Sequence, residues 1–86
     1  MKKVYCLINK HSGNIIMASK TRTPLEEEWC DMFMNDYWCE MRDAADSHWI
    51  NVENPSEDCR EYARECWDRL MNWHKEVFEI QKIWLS

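Results

Sequence analysis

The chain has 86 residues, of which 45% are hydrophobic, with six tryptophans and a formal net charge of −5. This length allows a single domain, residues 1–86, and the apolar content excludes a disordered chain. One glycine and two prolines leave little material for a turn-rich all-β fold.

Several features bear on the cellular compartment. No apolar run approaches the ~20 residues that a membrane span needs. Polar residues from Asn9 to His11 end the first apolar stretch too early for a signal peptide. The five cysteines include no C-x-x-C pair, and without an export signal free thiols are a simpler interpretation than disulfides. The sequence therefore predicts a cytoplasmic protein with no membrane association.

Charge is polarised along the chain. Residues 1–22 carry five cations and no acid, residues 23–58 carry eleven acids and one arginine, and residues 59–86 balance five against five. The middle segment therefore has a net charge of −10. A field of this kind bears on the choice of partner, although not on the fold.

The first element in chain order is a predicted β-hairpin at residues 3–19. Residues 3–8 and 14–19 are rich in β-branched side chains, which favours two strands. Between them, Gly13 stands where a type I turn with a G1 bulge requires positive φ.

Two predicted helices follow, at residues 24–45 and 55–74. Each begins with the same pattern, a capping side chain (Thr23 or Asn54), then a proline, then a glutamate at the third helical position. Residues 46–53 form the connection between the helices.

The last predicted element is a third strand at residues 77–85, where apolar residues dominate. The connection before the second helix is also compatible with a short extended piece at residues 49–52. The order ββααβ predicts an α+β fold, with a small three-stranded sheet, antiparallel or mixed, that carries both helices on one face.

The second helix has one apolar side and one charged side. At about 100° per residue, its apolar side holds Cys59, Tyr62, Ala63, Cys66, Trp67, Leu70 and Trp73. We expect this side to lie on the sheet. We also expect the tryptophans of this helix and Trp84 to lie in the hydrophobic core. A core of this size cannot enclose six indoles completely, so some indole surface should stay exposed.

The first helix carries more apolar surface than one small sheet can bury. One sector holds Cys30, Phe33, Met34, Tyr37, Trp38, Met41, Ala44 and Ala45, and a second sector holds Leu25, Trp29, Met32 and Cys39. An acidic stripe, formed by Asp36, Glu40 and Asp43, runs between the two sectors. If one apolar sector stays exposed beside this stripe, it marks an interaction site. The predicted partner-binding residues are Glu28, Trp29, Met32, Asp36, Glu40 and Asp43.

Metal binding and catalysis are less favoured interpretations. Cys59, Cys66 and His74 share a helix face, but steps of seven and eight residues place them about 10–12 Å apart along the axis, too far for one zinc ion. No nucleophile elbow, HExxH, phosphate loop or glycine fingerprint is present. We expect no enzyme activity, no metal and no cofactor, and we keep a small zinc domain as an alternative.

Direct nucleic-acid binding is a further alternative. Five cations lie in or beside the hairpin, at Lys2, Lys3, Lys10, Lys20 and Arg22. The strongly acidic remainder would repel the same polyanion, so the sequence disfavours this function.

The opening of the chain reads Val4-Tyr5-Cys6-Leu7-Ile8-Asn9-Lys10, then Gly13-Asn14-Ile15-Ile16 and Ala18-Ser19-Lys20-Thr21, followed by an acidic helix. Over about the first thirty residues it resembles the hairpin-then-helix start of many small bacteriophage proteins. The resemblance implies no catalytic residue. It implies a protein that binds and inhibits a host enzyme or defence complex.

The expected function is therefore a non-enzymatic, phage-type inhibitor or adaptor. Its expected partner is a host protein with a basic surface, such as one that handles nucleic acid, bound through the acidic, aromatic surface of the first helix. The alternative is a structural protein in which the spare apolar sector of that helix pairs with a second copy as a two-fold homodimer.

Overall fold

The structure, a computed structural model, describes residues 2–47, 53–54 and 56–85. Its elements are β1 (Lys2–Asn9), β2 (Ile15–Ser19), α1 (Thr23–Asp46), α2 (Glu57–Val77) and β3 (Phe78–Leu85). The predicted ββααβ order and α+β class are confirmed.

The three strands form one antiparallel sheet in the order β2-β1-β3. β1 is central, which suits a strand with five consecutive apolar residues from Val4 to Ile8. The hairpin contains a register shift between Leu7 and Ile8, and Gly13 has the expected positive φ of 77°.

The helix starts differ from the predicted caps. α1 has Arg22 at its N-cap, in a helical conformation and with no side-chain cap, so Thr23 is already helical. α2 is capped by Ser56, whose Oγ accepts a hydrogen bond from the backbone N–H of Cys59 at 3.3 Å. The predicted cap at Asn54 is therefore wrong by two residues. Pro55 and the extended piece predicted at residues 49–52 lie outside the described residues.

α2 continues three residues beyond its predicted end and meets β3 without a loop. Val77 ends the helix and Phe78 begins the strand. The hairpin turn is hydrogen-bonded to this junction through Lys10. The backbone N–H of Lys10 donates to the Val77 carbonyl at 2.7 Å, and its side-chain Nζ donates to the Lys75 carbonyl at 3.0 Å. A cation at a helix C-terminus also complements the helix dipole.

Two apolar clusters hold the chain together. The sheet cluster is formed by Leu7, Leu25, Val77 and Phe78, with Tyr5, Trp29, Met32 and Ile80 packed against it. The helix-pair cluster is formed by Phe33, Met41, Ala44, Cys66 and Leu70. The helices therefore lie on one face of the sheet, as predicted, and also extend past it, which makes the molecule long and narrow at 55 × 22 × 18 Å.

This arrangement corrects the expectation for the first helix. Its two apolar sectors are both used inside one molecule: Leu25, Trp29 and Met32 pack on the sheet, whereas Phe33 and Met41 pack on α2. Both sectors therefore have a packing partner inside the molecule, although Trp38 of the first sector keeps 50% of its surface accessible.

Several tryptophans are exposed where core was expected. Trp67, Trp73 and Trp84 keep 38%, 48% and 58% of their surface accessible, and Trp38 keeps 50%. In the helix pair, small and medium residues such as Cys66 and Leu70 fill the space between the two axes, so the indoles of α1 and α2 are displaced to the margins. Trp84 lies near the end of β3, outside the sheet cluster.

Candidate binding groove between the helices

The acidic stripe of α1 lies along the margin of the helix pair. Two adjoining depressions of about 380 and 410 Å³ open there between α1 and α2, and both include Glu40 in their lining. We call this surface the acidic groove; it is formed by Asp36, Cys39, Glu40 and Asp43 of α1 and by Arg69 and Trp73 of α2.

Asp36 is oriented by a buried histidine. Its Oδ2 lies 2.8 Å from Nε2 of His74, and Trp29 donates its indole N–H to Nδ1 of the same ring at 3.1 Å. Because an indole nitrogen can only donate, Nδ1 is the acceptor. We infer a neutral ring that carries its proton on Nε2 and donates it to Asp36.

His74 is only 2% exposed and connects the two clusters. Its ring centroid lies 5.5 Å from that of Phe33 in the helix-pair cluster and 5.2 Å from that of Phe78 in the sheet cluster. Both of its nitrogens have partners, so the ring satisfies the rule for buried polar groups.

Glu40 is held by two donors from α2. Its Oε2 accepts a hydrogen bond from the Cys66 thiol at 3.0 Å and forms an ion pair with Arg69. These two hydrogen bonds, that of Arg69 foremost, lower the pKa of Glu40 below its ordinary value of 4.5. Burial first, and then Glu40, raise the pKa of the Cys66 thiol to about 11, so it stays protonated at neutral pH.

The lowered pKa of Glu40 predicts a specific pH dependence of stability. A carboxylate with a lower pKa in the folded than in the unfolded state stabilises the fold above about 4.5, and this contribution disappears as pH falls through the folded value. We expect Glu40→Gln to lower the free energy of unfolding by ~0.5–1 kcal/mol at pH 7, the range for a solvent-accessible ion pair.

Urea titrations of both chains between pH 7 and pH 2 measure this difference. The difference in the free energy of unfolding should shrink towards zero as the pH falls from about 4.5 through the lowered pKa of Glu40, because both chains then lack a charge at this position. Glu61→Gln on the exposed side of α2 is the matched control. If the difference in the free energy of unfolding stays constant down to pH 2, the charge of Glu40 does not stabilise the fold.

Trp73 supplies the aromatic wall of the groove. One part of its ring packs edge-on against His74 and Phe78, at centroid distances of 5.2 and 5.9 Å. The remaining half of the side chain is accessible. The indole is therefore fixed in place by its packing and still presents surface to a ligand.

The structure brings together only some of the predicted site residues. Asp36, Glu40 and Asp43 share the acidic groove. Trp29 and Met32 are turned inward against the sheet cluster, and Glu28 is not among the groove residues. The expectation that Trp29 and Met32 lie exposed beside the stripe is wrong, because α1 uses that side to bind the sheet.

Sequence reasoning missed the α2 half of the groove. The sequence predicts Trp73 on the buried side of the second helix and offers His74 only as a metal ligand, and it gives Arg69 no role in the site. A signal was available: Cys66, Leu70, His74 and Val77 recur at steps of four, four and three, the spacing of a buried helical stripe.

Comparisons with family models, with curated protein sequences and with solved structures found no match to this chain. The assignment of function therefore rests on the chemistry of the groove and its surroundings.

Two other types of site are absent from the part of the chain that the structure describes. Within residues 2–47, 53–54 and 56–85, no group of three His, Cys, Asp or Glu side chains is placed to hold a metal ion. Over the same residues, neither helix combines the length and hydrophobicity of a membrane span.

A second groove lies between the helices and is lined mainly by apolar side chains. Its volume is about 370 Å³, and it is lined by Glu26, Trp29, Cys30, Phe33, Met34, Trp67, Met71, His74 and Lys75. Phe33 and Trp67 meet edge-to-face in its floor at a centroid distance of 4.6 Å. The helix pair therefore carries two grooves, the acidic groove and one lined mainly by apolar side chains.

Proposed function

We propose that this chain is a non-enzymatic binding module that docks on a basic surface of another protein through the acidic groove. The observation that carries the proposal is the row formed by Asp36, Glu40 and Asp43, with the half-exposed ring of Trp73 on the facing helix. Carboxylates bind arginine and lysine by charge-assisted hydrogen bonds, and an indole face adds a cation–π contact.

The carboxylates are preorganised for such a ligand. His74 orients Asp36, and Arg69 with Cys66 orients Glu40. A carboxylate offers about four lone-pair positions, and the side chain of Asp36 is 43% exposed, so it can accept a further donor. Groups fixed before binding lose less conformational entropy when the partner arrives.

The surrounding charge supports the same class of partner. The segment from residue 23 to residue 58 carries net −10, which attracts a basic protein over a long range and accelerates the encounter at low salt. Proteins that handle nucleic acid have such basic surfaces. With the resemblance to small bacteriophage proteins, this favours an inhibitor of a nucleic-acid-handling or defence complex in the cytoplasm of a bacterial host.

The state of the His–Asp pair supports binding over catalysis. His74 is buried, and its two nitrogens are occupied by Trp29 and Asp36. A general base must reach the proton that it abstracts, and this ring does not face solvent. The protonated Cys66 thiol is likewise a poor nucleophile.

Charge reversal at Asp43 tests the proposal without disturbing the His74–Asp36 and Arg69–Glu40 pairs. Asp43 is exposed, whereas Asp36 and Glu40 hold internal partners. The matched control is Asp31→Lys, which makes the same charge change on α1 but lies 12 residues away, roughly 120° around the helix axis.

Each chain is immobilised, exposed to bacterial lysate and eluted with increasing salt, and the eluted protein is then titrated against each variant. We expect Asp43→Lys to weaken binding about tenfold, or ~1.4 kcal/mol, and to reduce its salt dependence, while Asp31→Lys changes less. Equal retention by all three chains, or elution that does not depend on salt, would contradict docking through this groove.

A further inference from the structure

The sheet has a second apolar face that no described helix residue covers. Tyr5 and Leu7 of β1 belong to the sheet cluster under α1, so the alternation of a strand places the residues between and beside them on the opposite side. We call this side the outer face; by register it contains Val4, Cys6, Ile8, Ile15, Ala18, Ile83 and Leu85.

The outer face is exposed to solvent at its margins and buried at its centre. Ile15 is 59% exposed and Leu85 is 48% exposed. Cys6, in the central strand between Ala18 and Gln81, is only 3% exposed and belongs to neither apolar cluster. An antiparallel sheet with a solvated side normally alternates apolar with polar residues, and β1 does not.

Two charges mark the ends of the outer face. Lys2 pairs with Leu85 at one end, and Glu79 pairs with Ile8 at the other. Lys2 and Ile8 are six residue steps apart along β1, which corresponds to about 20 Å at the rise of a strand. The side-chain amide of Gln81, on the same face, donates to the carboxylate of Glu79 and fixes its position.

We propose that the outer face is the contact surface of a two-fold homodimer, in which two sheets pack face to face with β1 antiparallel over β1 of the second copy. The two-fold axis then places the Lys2 end of each copy over the Glu79 end of the other. In such an isologous contact, Lys2 of each copy lies near Glu79 of the other, which gives two opposite-charge pairs. The two sheets stack about 10 Å apart, as in a β-sandwich.

A second copy fits this surface better than another class of partner does. A uniformly basic or uniformly acidic surface would leave either Lys2 or Glu79 opposite a like charge, whereas the second copy matches both. The three strands present a face roughly 14 Å wide and 23 Å long. This is smaller than the ~800 Å² per partner of a standard interface, so we expect a dimer that forms at micromolar concentrations and above. The proposal does not depend on the acidic groove.

Sedimentation equilibrium over a range of concentrations tests the face. Leu85→Lys adds a charge to the outer face, and its control, Trp84→Lys, adds the same charge one residue earlier on the helix side of the sheet, where Trp84 is 58% exposed. We expect the dissociation constant to rise at least tenfold with Leu85→Lys and with Ile15→Lys, and to change less than threefold with Trp84→Lys. Circular dichroism confirms that each variant is folded.

A charge exchange tests the relative orientation of the two copies. Lys2→Glu alone and Glu79→Lys alone should each weaken the dimer, because each opposes like charges, and the double exchange should restore it. A wild-type chain that remains monomeric up to millimolar concentration would overturn the proposal. So would a dimer that Leu85→Lys and Ile15→Lys leave unchanged, or one that Trp84→Lys disrupts equally.

Discussion

Replacing His74 with alanine should lower the free energy of unfolding by about 3 kcal/mol. The ring is 2% exposed and lies between Phe33 and Phe78, so its removal opens a cavity between the two apolar clusters. It also leaves the indole N–H of Trp29 without its acceptor and Asp36 without its donor. An unsatisfied buried polar group costs about 1–3 kcal/mol by itself.

Urea denaturation followed by tryptophan fluorescence measures this effect as a lower midpoint with an unchanged slope. Trp29→Phe keeps the His74 ring in place and removes the indole donor together with its pyrrole ring, so it opens a smaller cavity than His74→Ala does; we expect a cost of at least ~1 kcal/mol. The matched control is His11→Ala at the exposed hairpin turn, with an expected change within ~0.5 kcal/mol. Equal costs for His74→Ala and His11→Ala would refute the structural role of His74.

Leu7→Ala should have an effect of similar or greater size. Leu7 is fully buried in the central strand, where it packs with Leu25, Val77 and Phe78. Truncation of a buried leucine costs about 2.5–5 kcal/mol. Domains have only ~5–15 kcal/mol of stability in total, and 1 kcal/mol corresponds to about 4–8 °C in a domain of this size, so we expect the melting temperature to fall by at least ~10 °C.

Met17→Ala provides the comparison within the same sheet. Met17 lies directly opposite Leu7 on β2 but is 36% exposed at the edge, so we expect a cost below ~1 kcal/mol. Thermal unfolding of the two variants measures the difference. Similar melting temperatures would mean that the sheet cluster is not the principal core.

Local patterns in the sequence predict most of the fold. The β-branched runs on either side of Gly13 specify the hairpin, and the proline-containing starts locate both helices to within two residues. The N-cap of α2 could not be settled in this way, because Asn54 and Ser56 are both good capping residues. In the structure Ser56 is the cap, because its Oγ accepts the hydrogen bond from the backbone N–H of Cys59.

The sequence does not show that α1 packs against two surfaces, the sheet and α2, and this is why the site was predicted only in part. A helix of 24 residues is about 36 Å long, and a sheet of three strands is only about 14 Å wide. The helix therefore extends past the sheet and needs a second surface, which α2 provides. Trp29 and Met32 are partly buried against the sheet cluster, at one end of α1, and Asp36 and Glu40, further along the helix, line a groove with Arg69 and Trp73 of α2.

The direct passage from Val77 to Phe78 leaves no hinge between the acidic groove and the outer face of the sheet. In a two-fold dimer the two grooves would therefore be held at one fixed spacing and angle. Rigid bivalency of this kind strengthens binding only to targets that present two basic patches with matching geometry, since a mismatch forbids simultaneous engagement. The chain would then discriminate between an isolated basic peptide and a symmetric assembly that carries the same peptide twice.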